Sequence, residues 1–171
     1  VEYILKNPGN KDAKIGIIAT EGTIKSNQWK EKIEQAKISK KTISKACPLL
    51  APMAEQGWTT NKVAKETIKE YMKPFANQNI DKLILGCTHY PLFKKLIQEE
   101  LGNNVELINT GEKIAEYVEE YLKINDMQSN SSIGEHKYYL TDTECNFINV
   151  AKNILQDENI TNKIQKIEIE K

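Results

Sequence analysis

Residues 83–91 read LILGCTHYP, and this segment with its flanks carries most of the information about the fold. Its apolar residues precede a glycine and a cysteine, and short apolar runs bounded by turn residues are typical of buried strands. Beyond Pro91, apolar residues recur at helical spacing, at Leu92, Leu96, Ile97 and Leu101. We therefore predict a strand, a turn that contains Cys87, and a helix.

The same alternation of short apolar runs and longer helical patterns extends along the chain. The strand candidates are residues 14–19, 42–45, 82–85, 105–108 and 137–140, and the helix candidates are residues 61–78, 92–101, 114–122 and 147–155. Pro74 lies inside the first helical pattern, which predicts a kink or an early end there. Strands that alternate with helices indicate an α/β fold with a mainly parallel sheet.

The composition restricts the partners and the compartment. The net charge is zero, and the 24 basic residues are all lysines scattered among acidic residues, so we predict no nucleic-acid partner. The sequence contains neither a signal-peptide pattern nor an apolar run long enough to cross a bilayer. Three widely spaced cysteines fit a reducing compartment, and the three cysteines and two histidines are not clustered at metal-ligand spacing. We predict a soluble, cytoplasmic protein with no membrane contact and no metal.

Three strand candidates lead into loops that contain hydroxyl and small residues. These segments are residues 15–23, 83–91 and 106–112. In open α/β sheets ligands bind beyond the carboxyl ends of the strands, so we expect a site in these loops. Thr20 and Thr23 are consistent with a helix cap near Ile24 and with a ligand-binding loop.

Cys87 is the candidate reactive group of this site. A thiol close to the N-terminus of the predicted helix is favoured as a thiolate by the helix dipole. His89, two positions later, brings an imidazole that can donate to a carboxylate or exchange a proton with the sulfur. The alternative interpretation is a buried structural cysteine.

The segment GCTHYPL at residues 86–92 resembles the signature around the second catalytic cysteine of glutamate racemases. Further segments agree in order and spacing: IGIIATEGTIKS at 15–26, KACPLLAPMAEQGW at 45–58, LINTGE at 107–112 and YYLTDTECNFINVAKNIL at 138–155. The resemblance covers the chain from Ile15 to Leu155 and suggests the C-terminal two-thirds of such an enzyme. It implies a three-layer α/β domain of the aspartate/glutamate racemase type, formed by residues 1–111. Residues 112–171 would belong to a second, pseudo-symmetric α/β domain.

The resemblance also implies a chemistry. Glutamate racemases interconvert L- and D-glutamate without a cofactor, using two thiols on opposite faces of the α-carbon, and the product D-glutamate supplies peptidoglycan synthesis. By position, Cys87 corresponds to one thiol, His89 to a helper acid or base, and Glu55 to an acidic residue of the site. The hydroxyls of Thr20, Thr23 and Thr88 correspond to groups that hold the substrate. Dimers are common in the family, so a homodimer is possible.

The chain departs from the family pattern at its start. The other thiol of the family lies in a Cys-Asn-Thr segment, and neither this segment nor the Asp-Ser-Gly motif is present in the sequence. Both would precede Val1, and neither Cys47 nor Cys145 lies in a matching context. We expect the chain alone to be inactive as a racemase, with proton exchange without inversion as its residual chemistry. Its second segment should expose apolar side chains or be covered by another chain, namely Val118, Tyr121, Leu122, Phe147 and Leu155.

Two other functions remain open at this point. One is a relative in the same superfamily, an aspartate racemase or an arylmalonate decarboxylase that needs a single thiol. The other is a non-catalytic module that binds glutamate or a protein partner without turnover.

Overall fold

The computed structural model describes residues 2–6, 13–39, 41–131, 133–142, 147–155 and 157–169. The strands are β1 (Lys14–Ala19), β2 (Lys41–Ala46), β3 (Lys82–Leu85), β4 (Glu106–Asn109), β5 (Tyr138–Leu140) and β6 (Ile164–Lys166). The helices are α1 (Glu2–Lys6), α2 (Glu21–Lys25), α3 (Gln28–Gln35), α4 (Leu50–Glu55), α5 (Lys62–Ala76), α6 (Lys94–Leu101), α7 (Thr110–Ile124) and α8 (Phe147–Leu155). Two short 3-10 helices span Tyr90–Phe93 and Ile160–Lys163.

A parallel sheet with the strand order β2-β1-β3-β4 forms the centre of the fold. Ile17 of β1 lies opposite Ser44 of β2 on one side and Ile84 of β3 on the other. The chain leaves β1 towards β2 and later returns past β1 to β3. The carboxyl ends of β1 and β3 therefore form a topological switch point, which is where open α/β sheets bind ligands.

Successive strand residues point to opposite sides of this sheet. Side chains on both faces are covered by helices. Gly16 and Ile18 of β1 face α4, α5 and α6, whose buried residues include Met53, Ile68, Met72, Phe75 and Ile97. Ile15 and Ile17 face the other side, where they pack with Ile4 of α1 and Ile33 of α3. Helices on both faces of a parallel sheet make a three-layer α/β fold, as predicted.

The segment after β4 packs less closely. Helix α7 has no buried residue, and its apolar side chains Ile114, Tyr117, Val118 and Tyr121, at helical spacing, are all about half exposed or more. Strands β5 and β6 form a separate two-stranded parallel sheet. Of the five apolar side chains predicted to lie open, Val118, Tyr121 and Leu155 are exposed, whereas Leu122 and Phe147 are half-buried.

The predicted strands agree closely with the structure. Each of the five predicted strands is present and begins and ends within one residue of its predicted limits. Helix α5 ends at Ala76, two residues after Pro74, as expected for a proline near a helix end. Cys145 lies outside the described residues. Within the described ranges, no helix has both the length and the apolar character needed to cross a membrane.

Candidate active site at the switch point

The turn after β3 runs directly against the end of β1, and a glycine makes this possible. The N–H of Gly86 donates to the carbonyl oxygen of Ile18 at 2.8 Å. A Cβ atom at Gly86 would lie 2.9 Å from that oxygen and 3.0 Å from the Cβ of Ala19. Any other residue would therefore push the turn away from β1, and with it the cysteine that follows.

Cys87 is half-buried at the border of the core, and its Sγ lies 3.9 Å from Nδ1 of His89. The sulfur is thus neither sealed in the core nor free in solvent. The predicted helix start is displaced, however. A 3-10 turn follows at Tyr90, and the α-helix begins only at Lys94. The expected stabilisation of a thiolate by an adjacent α-helix N-terminus is accordingly weakened, because the dipole effect is confined to the first turn.

His89 lies between the thiol and a carboxylate. Its Nε2 is 3.4 Å from Oε1 of Glu55, the last residue of α4, and the two side chains are 27% and 55% exposed. A proton on Nε2 can be held by the carboxylate, which leaves Nδ1 facing the sulfur of Cys87. In that tautomer the imidazole can accept a proton from the thiol or return it.

The loop after β1 contributes hydroxyl groups. Thr20 occupies the N-cap position of α2, yet its side chain makes no capping bond to the backbone. Instead the hydroxyls of Thr20 and Thr23 lie 3.0 Å apart and are half-buried. Helix α2 begins at Glu21, earlier than the predicted start near Ile24. Since β1 and β3 are neighbours in the sheet, this hydroxyl pair, at the N-cap and in the first turn of α2, lies beside the cysteine turn.

The family profile described as Asp/Glu/Hydantoin racemase matches residues 2–118. The chain belongs to this racemase family. It is 37% identical over 146 residues to the glutamate racemase of Geobacter metallireducens, covering 85% of the chain and 54% of that relative. It is 38% identical over 156 residues to the glutamate racemase of a Sulfurihydrogenibium species, covering 91% of the chain and 57% of that relative. The chain thus spans little more than half the length of these curated relatives.

Solved structures give the same result for this racemase-family chain. The glutamate racemase of Francisella tularensis, determined in complex with D-glutamate, matches 92% of the chain with a TM-score of 0.79 and 31% identity. The isoform RacE1 from Bacillus anthracis matches 99% of it with a TM-score of 0.83 and 29% identity. The chain covers 57% and 61% of those two chains. The predicted resemblance to glutamate racemases and the predicted fold class are confirmed.

The predicted site residues of this racemase-family chain fall into three groups. Cys87, His89 and Glu55 are in contact, and Thr20 and Thr23 pair on the adjacent loop. Thr88 lies in the cysteine turn, where it is exposed. Their roles in catalysis and substrate binding stay predictions.

Two further residues at this edge of the sheet were not among the predicted site residues. The buried hydroxyl of Tyr90 donates to the carbonyl oxygen of Cys47 at 2.8 Å, and Thr110 Oγ1 donates to the carbonyl oxygen of Leu85 at 3.2 Å. Tyr90 lies in the GCTHYPL segment and Thr110 in the loop of residues 106–112, so both lie in segments that the sequence indicates as parts of the site. A buried tyrosine hydroxyl ordinarily requires a partner, but only the fold shows that Tyr90 is buried.

Cys47 shows what a structural thiol of this fold is like. Its side chain is fully buried, and burial raises the pKa of the thiol to about 12. Such a thiol is protonated and unreactive at neutral pH. Over the part of the chain that the structure describes, histidine, cysteine and carboxylate side chains form no group of three that could hold a metal ion.

Proposed function

We propose that this chain is the part of a cofactor-independent glutamate racemase that carries one of the two catalytic thiols, Cys87. The observation that carries the proposal is the contact of Cys87 with His89, backed by Glu55, at the switch point of a racemase-family sheet. The racemase of Francisella tularensis that the chain resembles was determined with D-glutamate bound. That ligand supports glutamate as the substrate.

The proposed chemistry uses the thiolate of Cys87 as the base for one face of the substrate. Sγ takes the α-proton, the electron pair stays on the substrate as a carbanion conjugated with the carboxylate, and His89 exchanges the proton between sulfur and solvent. No cofactor serves as an electron sink, so the site must stabilise this charge by itself. In this proposal the hydroxyls of Thr20, Thr23 and Thr88, with backbone N–H groups, hold the amino and carboxylate groups, a mode of binding that suits a chain without arginine.

Inversion requires a proton from the opposite face. In this proposal the second thiol belongs to the part of the relatives' length that the chain does not span. A lone thiol would return the proton to the face from which it came, so this chain alone exchanges the α-proton with retention. With its second thiol the enzyme would supply D-glutamate for peptidoglycan synthesis in the cytoplasm.

The predicted division into residues 1–111 and 112–171 is part of the proposal. The four-stranded sheet β2-β1-β3-β4 and the separate sheet β5-β6 support it, as does the exposed apolar stripe of α7. An apolar stripe of this kind is usually covered by another part of the molecule or by a partner. Residues 112–171 belong to the second domain of the racemase, and we propose that the rest of that domain covers this stripe. A homodimer stays a prediction.

Wash-in of deuterium tests the proposed site directly. The chain is incubated with L-glutamate in deuterated water, and loss of the α-proton signal is followed by ¹H NMR, while chiral chromatography measures any D-glutamate. We expect α-deuterated L-glutamate with little inversion, and we expect Cys87→Ser to abolish the exchange because a hydroxyl is a far weaker base partner than a thiolate. Cys47→Ala is the matched control, because it removes the buried thiol of the turn after β2 and should retain exchange.

The same samples distinguish the other candidate functions. Exchange that persists undiminished in Cys87→Ser contradicts the proposal. Binding of glutamate by calorimetry without any exchange indicates a non-catalytic binding module. Exchange of aspartate in preference to glutamate, or release of CO₂ from an arylmalonate, indicates the corresponding relative, and the decarboxylase would need only the single thiol that the switch point provides.

A further inference from the structure

One buried polar group beside the site has no role in the chemistry proposed above, namely the phenol of Tyr90. Tyr90 follows His89 in the chain, and its side chain is fully buried. Its hydroxyl donates a hydrogen bond of 2.8 Å to the carbonyl oxygen of Cys47. Burial raises the pKa of the phenol, so the group remains a protonated donor at neutral pH.

This hydrogen bond joins loops that are two strands apart. Tyr90 belongs to the turn after β3 and Cys47 follows β2, with β1 between them. Because neighbouring strands are about 4.8 Å apart, the bond bridges roughly 10 Å of sheet edge. The N–H of Cys47 in turn donates to the carbonyl oxygen of Ala19 at 2.9 Å, at the end of β1. Bonds through the Cys47 backbone therefore hold all three loops in one arrangement.

The same carbonyl oxygen of Cys47 also accepts a hydrogen bond from the start of the helix that carries Glu55. The N–H of Leu50, the first residue of α4, donates to the same Cys47 oxygen at 3.2 Å. Helix α4 ends at Glu55, whose carboxylate lies 3.4 Å from the ring of His89. His89 is bonded covalently to Tyr90. Hydrogen bonds, the backbone of α4 and the contact of Glu55 with His89 thus link these residues in a ring that begins and ends at Tyr90.

We infer that Tyr90 is a positioning residue, whose hydroxyl fixes the distance between Glu55 and His89 and thereby the direction in which the imidazole faces Cys87. Its effect on catalysis rests on the proposed function, because proton transfer is sensitive to displacements of about 1 Å. The geometric part of the inference is independent of turnover. It requires only that loss of one hydroxyl changes the pairing of Glu55 with His89.

NMR of the histidine rings tests the geometric part. The chain has two histidines, and His136, stacked on Tyr138 at 6.4 Å between ring centroids, serves as the internal reference. We expect Glu55→Gln and Tyr90→Phe each to shift the His89 signals, and the double variant to shift them no further than Glu55→Gln alone. The His136 signals should not move. Additive shifts, or His89 signals that Tyr90→Phe leaves unchanged, overturn the inference.

Tyr71→Phe is the matched control. The N–H of Leu49 donates to the Tyr71 hydroxyl at 3.2 Å on the same loop, at an exposed position where water can replace the bond. Tyr71→Phe should leave the His89 signals in place. A shift equal to that of Tyr90→Phe would mean that any loosening of the loop suffices, and it would overturn the inference. His89 signals that Glu55→Gln leaves unchanged exclude the pairing and overturn the inference, whether or not Tyr90→Phe folds.

Kinetics test the catalytic part and keep it separate from the proposed function. In the deuterium wash-in, Tyr90→Phe should lower kcat by about tenfold with KM nearly unchanged, and it should cause no further loss in the Glu55→Gln background. A chain that shows the NMR coupling but no exchange at all contradicts the proposed function and leaves the positioning geometry intact. Full wash-in activity in a folded Tyr90→Phe variant overturns the catalytic part of the inference.

Discussion

Cys47 and Cys87 occupy comparable places in the sheet and have opposite surroundings. Each follows a strand of the parallel sheet, β2 or β3, and each lies in a turn that leads to a helix. Cys47 is fully buried among core residues, and burial raises the pKa of its thiol to about 12. Cys87 lies at the border of the same core, half-buried, with its sulfur 3.9 Å from the imidazole of His89.

The contrast indicates that the carboxyl end of a strand is not sufficient to make a thiol reactive. The turn after β2 lies at the edge of the sheet, where α4 and α5 cover Cys47. The turn after β3 lies at the switch point, where Gly86 lets it approach the end of β1 closely, and Cys87 stays at the border of the core. Strand order and one glycine therefore account for the different burial of the two cysteines.

Thiol alkylation should show the largest consequence of this contrast. At pH 8 a thiol with a pKa of about 12 is ionised in about one molecule in ten thousand, and burial further restricts access. We expect iodoacetamide to modify Cys87 at least about a thousandfold faster than Cys47, as measured by mass spectrometry of the separate peptides. In urea at unfolding concentrations the two rates should converge. Comparable rates in the folded protein would remove the distinction between the two turns.

Replacement of Gly86 by alanine should sharpen the comparison at the level of stability. The added methyl group would meet the carbonyl oxygen of Ile18 at 2.9 Å and the Cβ of Ala19 at 3.0 Å. Overpacking of this kind costs roughly 2 kcal/mol in the free energy of unfolding, measured by urea denaturation. Because the turn must move away from β1, the alkylation rate of Cys87 should change as well, whereas that of Cys47 should not.

Gly22→Ala is the control for this substitution. No atom lies within 4 Å of a Cβ at Gly22, which is the second residue of α2. Alanine is the better helix former, so this variant should match or exceed the native stability by up to about 1 kcal/mol. A Gly86→Ala protein as stable as Gly22→Ala would show that the close approach of the turn to β1 is not required.

The sequence predicted β1 and β3 well because these two strands are buried on both faces. Short runs such as residues 14–19 and 82–85 are almost entirely apolar, and only strands covered on both sides have that pattern. Short helices escaped prediction. Helix α3 buries only Ile33 and so displays no apolar stripe, and α4, with six residues, has fewer than two full turns.

The candidate site was predicted in part. Cys87 and His89 came from one contiguous segment, and Glu55 came from a resemblance, since nothing in its local sequence indicates that α4 ends beside His89. The contact of Tyr90 with Cys47 could not be predicted, because it joins residues 43 positions apart across the sheet. Such contacts depend on strand order, which periodicity alone does not determine.

The smallest effect should come from the opposite end of the sheet, where Lys82 and Glu106 form an ion pair. At the start of β4, burial alone would raise the pKa of Glu106, but hydrogen bonds from Lys82 and from Tyr3 outweigh it and hold that pKa below its usual value. A lowered carboxyl pKa adds stability above the unfolded pKa, and this stability is lost as the pH falls through the folded value. The side chain is 40% exposed, so solvent screening limits the gain to about 1 kcal/mol.

Glu106→Gln should therefore lower the free energy of unfolding by about 1 kcal/mol at pH 7, with a difference from wild type that shrinks below pH 4. Urea denaturation across this range measures it, and Glu119→Gln, at an exposed pair with Lys123 on α7, is the control that should have a smaller effect. Neither variant should alter the ratio of alkylation rates of Cys87 and Cys47 at pH 8. If Glu106→Gln did alter it, the two ends of the sheet would be coupled, and the difference between the cysteine turns could no longer be attributed to Gly86 and strand order alone.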